Sequence, residues 1–196
     1  GPGRTVALTF DDGASADMLA IAQVLRAQSV RAATFFDTGA KDAQSPQAVT
    51  DVSAMGFLIG NHTWDHQYPK AVRGGWSLPY LSDQISRTAA QTLRLTGAGE
   101  CFFRPPGGVQ DNVLAAAAAQ GMSVVMWSVD TSDWQSPPRL DPAFQQRIIT
   151  RATTLPAAGA DHPIVLMPSA QASHEPEPQG TSFRGTTAAA LPAITP

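Results

Sequence analysis

Short apolar runs alternate along this chain with longer segments of helical period. The apolar runs cover residues 6–10, 32–36, 57–60, 101–103, 122–129 and 164–167. The segments of helical period cover residues 16–28, 82–95, 112–120, 142–154 and 187–194, and one more helix begins behind Ser45 and Pro46. This alternation predicts β-α units, in which parallel strands form a sheet covered by helices.

Four polar clusters each follow one of the predicted strands. They are Asp11-Asp12, Asn61-His62, Arg104-Pro105-Pro106-Gly107-Gly108 and Asp130-Thr131-Ser132-Asp133-Trp134. In a parallel barrel the carboxyl ends of the strands form the face that carries the chemistry. If the sheet closes, we therefore expect the four clusters to meet at one mouth.

Two strings contain the residue types of a metal site. Thr9-Phe10-Asp11-Asp12-Gly13 has adjacent carboxylates, and His62-Thr63-Trp64-Asp65-His66 has two imidazoles four residues apart. Such imidazoles share a face if their segment is helical, and a carboxylate from a distant strand end completes a three-ligand site with open positions. The second carboxylate can then take protons, which is an arrangement suited to hydrolysis.

Each of these patterns also has a structural explanation when it is taken alone. An aspartate pair after a strand often caps a helix or forms a turn. An isolated H-x-x-x-H pair is frequently a pair of surface or core histidines, and Trp134 would by default lie in a core. The ordered co-occurrence of the patterns favours the metal site.

Length and composition limit what could surround such a site. The 196 residues, 43% of them hydrophobic, can bury one substantial core, so we expect a single domain over residues 1–196. The net charge of −3 and the scattered basic residues do not indicate a nucleic-acid surface. No apolar run approaches the roughly 20 residues of a membrane span, and no charged-then-apolar leader is found. Cys101 cannot form an internal disulfide, and we expect it to be a small buried hydrophobe.

With these four strings in order, the chain resembles the polysaccharide deacetylases, that is the NodB-homology domain or carbohydrate esterase family four. The resemblance covers roughly residues 4–195. It implies an α/β fold, a distorted (β/α)7–8 barrel, that hydrolyses N- or O-acetyl groups on a sugar polymer. It also implies a divalent metal cofactor, usually Zn²⁺, with Co²⁺ or another divalent ion as an alternative.

The resemblance implies roles at the metal. Asp12, His62 and His66 would be the metal ligands. Asp11 would be the general base that deprotonates the attacking water, and Arg104 would hold that carboxylate in place. An arginine paired with a carboxylate orients it and keeps it ionised.

The resemblance also implies roles around the substrate. The backbone N–H of Gly107 would help to stabilise the oxyanion. Asp130 and Trp134 would line the pocket. Asp130 would belong to the catalytic residues, and Trp134 and Pro106 would bind the substrate. Leu166 would lie against the acetyl methyl group.

Two positions depart from the family's pattern. Gly107 stands where family members generally carry an aromatic residue, so a wall of the sugar-binding groove is missing. Pro168, two residues after Leu166, stands where the family has a histidine that protonates the leaving amine. Of the remaining histidines, His162 precedes its strand and should lie at the opposite end of the barrel, whereas His174 follows the strand and lies on the correct side.

Three functions follow from these residues. The first is a metal-dependent deacetylase of N-acetylglucosamine residues in peptidoglycan or a chitin-type glycan, with an acetyl-xylan O-esterase as a variant. The second is a catalytically impaired member that binds metal and glycan. The third is a non-haem iron oxygenase, since two histidines and one carboxylate also suit Fe(II), although that chemistry has no evident use for Asp11. The family resemblance further implies a polysaccharide substrate and an extracellular or cell-wall location, and we expect a monomer.

Overall fold

The computed structural model describes residues 5–137, 139–154, 162–172, 182 and 184–195. Within these ranges the strands are β1 (Ala7–Asp11), β2 (Thr34–Asp37), β3 (Leu58–Asn61), β4 (Phe102–Phe103), β5 (Ser123–Val124), β6 (Val129–Asp130) and β7 (Ile164–Pro168). They form one parallel sheet in the order β5-β4-β3-β2-β1-β7-β6. The α/β class predicted from the alternating pattern is therefore confirmed.

The helices of the described ranges connect these strands. They are α1 (Ala16–Ala27), α2 (Gly39–Gln44), α3 (Pro46–Ala54), α4 (Leu78–Thr96), α5 (Val113–Ala119), α6 (Pro142–Thr153) and α7 (Gly185–Ala190). The side chains of Ser15, Ser77 and Asp141 cap α1, α4 and α6 by accepting a backbone N–H, and prolines stand in the first turns of α3, α4 and α6. One-turn 3-10 helices span Pro69–Ala71, Pro106–Gly108, Asp133–Gln135 and Leu191–Ala193.

The sheet curls into a distorted barrel because the chain crosses between its two edges within a few residues. Val125 N donates to Phe103 O over 2.9 Å, next to β4, while Ser128 N donates to Ile164 O over 3.0 Å, next to β7. The prediction of a single strand over 122–129 is therefore wrong. It divides into β5 and β6, which pair with opposite edges of the sheet.

The two faces of β1 show how the barrel is filled. Phe10 faces the helices and stacks on Phe35 of β2, with ring centroids 4.9 Å apart. Thr9 and Asp11 point the other way, as the alternation along a strand requires, and both contact the side chain of Arg104. The polar carboxyl end of the barrel is therefore built around a buried guanidinium, while apolar residues pack between sheet and helices.

Three further local predictions need correction. Helix α2 was not predicted, and the last helix was expected over 187–194, where the structure has α7 followed by a 3-10 turn. Cys101 is exposed and lies directly before β4, so it is not the buried hydrophobe that was expected. Among the described residues, no helix is both long and apolar enough to cross a membrane.

Candidate active site

A cavity of about 260 Å³ opens at the carboxyl ends of the strands. It is lined by Asp11, Asp12, His62, His66, Tyr68, Gly107, Trp127, Asp130, Trp134, Leu166, Pro168 and Ala172. The site residues named from the sequence line this cavity, except Arg104 and Pro106. Both exceptions are buried in the loop that follows β4.

Arg104 lies behind the cavity wall and is fully buried. Its Nη1 donates to Asp11 Oδ1 over 2.7 Å and to Thr9 Oγ1 over 2.8 Å. Its other donors reach the carbonyl oxygens of Val125, at 3.0 Å, and Met126, at 3.2 Å. Burial raises the pKa of the Asp11 carboxyl above its ordinary value, and the charge of Arg104 offsets part of that effect.

The two imidazoles are brought together by a loop and not by a helix. Residues 62–66 follow β3 without forming helical turns, and Thr63 and His66 have left-handed backbone with φ of 70° and 55°. The condition under which the H-x-x-x-H pair would share a helical face is therefore not met. The two reversals nevertheless place the rings of His62 and His66 with centroids 4.9 Å apart.

A third ligand candidate, Asp12, faces the two rings. Its Oδ1 lies 3.3 Å from His66 Nε2 and 3.7 Å from His62 Nε2. One ligand atom from each of the three residues lies within 4.8 Å of the other two, and all three residues are buried. Burial raises the pKa of Asp12, but the two imidazoles outweigh it and hold that pKa well below its ordinary range.

The hydrogen bond of His62 determines which of its nitrogens is available. Nδ1 lies 2.7 Å from the carbonyl oxygen of Arg104, which can only accept. Nδ1 therefore carries the proton, and Nε2 presents its lone pair beside Asp12, as in metal-binding histidines. One carboxylate and two imidazoles form a donor set that fits a divalent transition metal such as zinc.

The loop that carries the histidines rests on α2. Gly39 N donates to Thr63 O over 3.1 Å, and Ala40 N donates to Trp64 O over 2.9 Å. From the other side, Gln84 Oε1 accepts the backbone N–H of Trp64 over 3.0 Å. A Cβ at Gly39 would lie only 2.5 Å from Trp64 Cε3, so a glycine is needed for this close approach.

The loop after β6 brings Asp130 and Trp134 to the opposite side of the cavity. Asp130 Oδ1 accepts the backbone N–H of Ser132 over 2.7 Å, which closes a tight turn. The carboxylate of Asp133 is buried behind this turn and accepts a hydrogen bond from the hydroxyl of Thr187 over 2.7 Å. Burial raises the pKa of Asp133 to about 7. Trp134 remains 54% exposed at the cavity, so its indole is available to a ligand.

The two departures from the family pattern also lie at the cavity. Gly107 has left-handed backbone with φ of 61° within its 3-10 turn. Pro168 ends β7 and pairs in register with Asp11. His162 is exposed before β7 and lies 2.8 Å from Thr5 Oγ1. His174 lies outside the described residues, so among the residues described His62 and His66 are the histidines of this cavity.

Tyr68 and Trp127 line the same cavity, although neither was predicted as a site residue. Tyr68 follows His66 by two residues and precedes Pro69, and its nearness to a ligand candidate was the available signal. Trp127 lies in the crossing between β5 and β6. Its place could not be inferred while that segment was taken as one strand.

Comparison with known sequences points to one family. Residues 1–125 match the sequence profile of the family described as polysaccharide deacetylase. A peptidoglycan-N-acetylglucosamine deacetylase from Bacillus cereus is 37% identical over 132 residues, which are 66% of this chain and 46% of that protein. This chain therefore spans less than half the length of that relative.

Solved structures match over nearly the whole chain. A family 4 carbohydrate esterase from Streptomyces lividans, in complex with acetate, has a TM-score of 0.76 and 26% identity, covering 97% of this chain and 85% of the other. A mutant with restored enzymatic activity of a CE4 family pseudoenzyme from Bacillus anthracis has a TM-score of 0.77 and 25% identity, covering 98% and 61%. With a family profile that matches well over half of its residues, this chain belongs to the polysaccharide deacetylase family.

Proposed function

We propose that this chain is a metal-dependent hydrolase that removes acetyl groups from N-acetylglucosamine residues of peptidoglycan or a chitin-type glycan. The name of the Bacillus cereus relative supports this substrate class. The observation that carries the proposal is the position of Asp11 beside the three ligand candidates. Its Oδ2 lies 3.9 Å from His62 Nε2, while its Oδ1 is held by Arg104.

Asp12, His62 and His66 would hold the metal ion, with Zn²⁺ as the first choice and Co²⁺ as an alternative. Such an ion polarises an acyl carbonyl and lowers the pKa of a water molecule from about 16 towards 7. Asp11 takes the proton of the attacking water. Arg104 keeps Asp11 ionised and oriented, because its guanidinium donates to that carboxylate from a fixed position.

The rest of the cavity binds the acetylated sugar. The N–H of Gly107 donates to the developing oxyanion, and a backbone donor needs no side chain for this task. The exposed indole of Trp134 packs against the sugar, with Asp130 beside it and Pro106 supporting the loop that carries Gly107. Leu166 contacts the acetyl methyl group.

A specific observation favours a second candidate function. Pro168 lines the cavity and has no titratable group, so it cannot protonate a leaving amine. The loss of a positioned acid typically costs on the order of 10² to 10⁴ in rate. The chain could therefore act as an impaired member that binds metal and glycan, or as an O-esterase, since esters are intrinsically more reactive than amides. The pseudoenzyme among the structural relatives is consistent with such a loss of activity.

Acetate release separates these functions. The substrates are acetylated chito-oligomers, peptidoglycan and acetylated xylan, each with added Zn²⁺ or Co²⁺. We expect release from the first two, its loss on chelation, and its recovery when metal is returned. We expect Asp11→Asn to lower the rate by on the order of 10² to 10⁴ while the affinity for Zn²⁺, measured by calorimetry, stays within a few fold.

Each other outcome selects another function. Unchanged release by Asp11→Asn would contradict the assigned base. Zinc binding without acetate from any substrate would identify a binding module, and release from xylan alone an esterase. Bound iron with oxygen uptake would revive the oxygenase. We further propose that residues 1–196 act as one monomeric domain at the cell wall or outside the cell, which light scattering and fractionation can test.

A further inference from the structure

We propose that Tyr68 forms the aromatic wall that position 107 lacks, and that it positions the acetylated sugar in the cavity. This inference takes its substrate class from the proposed function. It adds a positioning residue that neither the sequence strings nor the comparisons assign. The geometry that points to it is the close approach of the Tyr68 ring to Gly107.

The ring of Tyr68 occupies the space that a side chain at position 107 would need. A Cβ on Gly107 would lie 2.6 Å from Tyr68 Cε1, 3.3 Å from its hydroxyl oxygen and 3.4 Å from its Cζ. Real Cβ atoms do not approach ring carbons so closely, and the left-handed backbone of Gly107 independently disfavours a side chain. With the Tyr68 ring in this position, a side chain at 107 therefore has no room unless the ring moves.

The backbone of Tyr68 is held in place on both sides. Tyr68 precedes Pro69 and has φ of −75° and ψ of 154°, the extended conformation that a following proline favours. Its carbonyl accepts the N–H of Ala71 over 2.9 Å, and the indole of Trp76 donates to the carbonyl of Gln67 over 2.9 Å. The Tyr68 side chain therefore projects from a braced turn.

The ring of Tyr68 also stands edge-on to one ligand candidate. Its centroid lies 5.5 Å from that of His66, with the two planes at 89°. This contact does not cover the whole Tyr68 ring, and 39% of Tyr68 remains exposed at the cavity. The aromatic surface is thus presented next to the place where the acetyl group would react.

The chemistry of a phenol suits a sugar ring. Its apolar body can pack against the C–H groups of a pyranose, and its hydroxyl can exchange a hydrogen bond with a sugar hydroxyl or an acetamido group. Trp134 offers a second exposed aromatic surface to the same cavity. Tyr68 therefore acts on binding and orientation of the sugar, and we expect its loss to raise KM more than it lowers kcat.

Binding in an inactive background tests the assignment without turnover. Each further substitution is made in the Asp11→Asn variant. Calorimetry with saturating Zn²⁺ then measures the affinity for the N-acetylglucosamine tetramer. We expect Tyr68→Ala to weaken binding by about tenfold or more and Tyr68→Phe by roughly two- to fivefold, since the ring is kept. Tyr80→Phe is the matched control for Tyr68→Phe, because it removes a phenolic hydroxyl outside the cavity lining.

A positional swap gives a sharper result. Gly107→Tyr alone should weaken binding, because its side chain meets the Tyr68 ring. In the Tyr68→Ala background, the same substitution should strengthen binding. The cost of left-handed backbone at 107 is common to both backgrounds and cancels in the comparison. The inference is overturned if Gly107→Tyr is no more favourable for binding in the Tyr68→Ala background than in the presence of Tyr68.

The remaining outcomes separate this inference from the proposed function. Tetramer binding that depends on Tyr68, with no acetate release by the unmodified chain, would sink the deacetylase proposal and leave the inference standing. Acetate release with an unchanged KM in Tyr68→Ala would overturn the inference about Tyr68 and leave the deacetylase proposal standing. The inference also fails if the tetramer does not bind, or if Tyr68→Ala weakens Zn²⁺ binding as much as tetramer binding, which would make Tyr68 a support for His66.

Discussion

Arg104 Nη1 lies 2.7 Å from Asp11 Oδ1, and this buried ion pair joins residues 93 positions apart in the chain. The backbone carbonyl of the same arginine accepts a hydrogen bond from His62 Nδ1. Its side chain therefore positions the proposed base, and its backbone orients a proposed metal ligand. These two tasks can be separated by substitution, because only the first depends on the side chain.

Arg104→Lys should lower acetate release and spare metal binding. A lysine keeps the charge but cannot reach Thr9, Asp11 and the carbonyl of Val125 at once, as the planar guanidinium does. We expect kcat to fall about 10²-fold with the affinity for Zn²⁺ unchanged. Arg94→Lys, an exposed change on α4, is the control.

Arg104→Met should in addition destabilise the fold. It leaves the Asp11 carboxylate buried without its partner, which typically costs about 3–5 kcal/mol. Urea unfolding measures this difference. An active and equally stable Arg104→Met variant would show that Asp11 does not depend on the pair.

Pro168→His should raise turnover of an amide substrate. Position 168 ends β7 beside Asp11 and lines the cavity, so an imidazole there can reach a leaving amine. If the missing acid limits the rate, we expect a gain of at least about tenfold in kcat, with a smaller gain on an acetate ester. Pro168→Ala is the control for loss of the ring, and equal rates for the two variants would mean that another group supplies the proton.

Gly39→Ala should weaken metal binding from a position outside the cavity. The added Cβ would lie 2.5 Å from Trp64 Cε3 and 2.7 Å from Thr88 Oγ1, so the loop between the two histidines has to move. Overpacking of this kind costs about 1–3 kcal/mol. We expect a lower melting temperature and a lower Zn²⁺ affinity by calorimetry. Gly99→Ala, where a Cβ meets nothing within 4 Å, should change neither.

Folding stability should decrease between pH 5 and pH 8 because of a carboxylate cluster behind the site. Glu100 accepts hydrogen bonds from Asn61 over 2.6 Å and Thr92 over 2.9 Å, yet burial raises its pKa from an ordinary 4.5 to about 7. Burial and the neighbouring acids also raise the pKa values of Asp37 and Asp42 well above the ordinary range. Protons are thus bound more tightly in the folded state than in the unfolded state.

The sign of this effect follows from the raised pKa. Below pH 4.5 Glu100 is protonated in both states, and between pH 4.5 and about 7 only the unfolded state releases its proton, so stability falls as pH rises. The loss for Glu100 alone is on the order of 3 kcal/mol. Urea unfolding at pH 5, 6, 7 and 8 should show it, and Glu100→Gln should reduce the slope; part of the slope should remain, because burial raises the pKa of Asp133 to about 7 as well. An identical profile for Glu100→Gln would assign the dependence to other groups.

The sequence by itself determined the fold class and the gathering of strand-end clusters at one face. Alternating apolar and helical periods are local properties, and they indicate parallel strands without any knowledge of long-range contacts. Because parallel strands end at the same edge, the positions of Asp11, Asp12 and His62 just after their strands were enough to predict that they lie near one another. The membership of the chain in the deacetylase family follows from the same ordered strings.

Only the tertiary structure decided how the site is built. The left-handed backbone of Thr63 and His66 depends on support from α2 and Gln84, which a helical interpretation of the spacing could not reveal. The close approach of Tyr68 to Gly107 likewise joins two loops about forty residues apart. Such contacts depend on where distant segments pack, and residue periodicity carries no information about that placement.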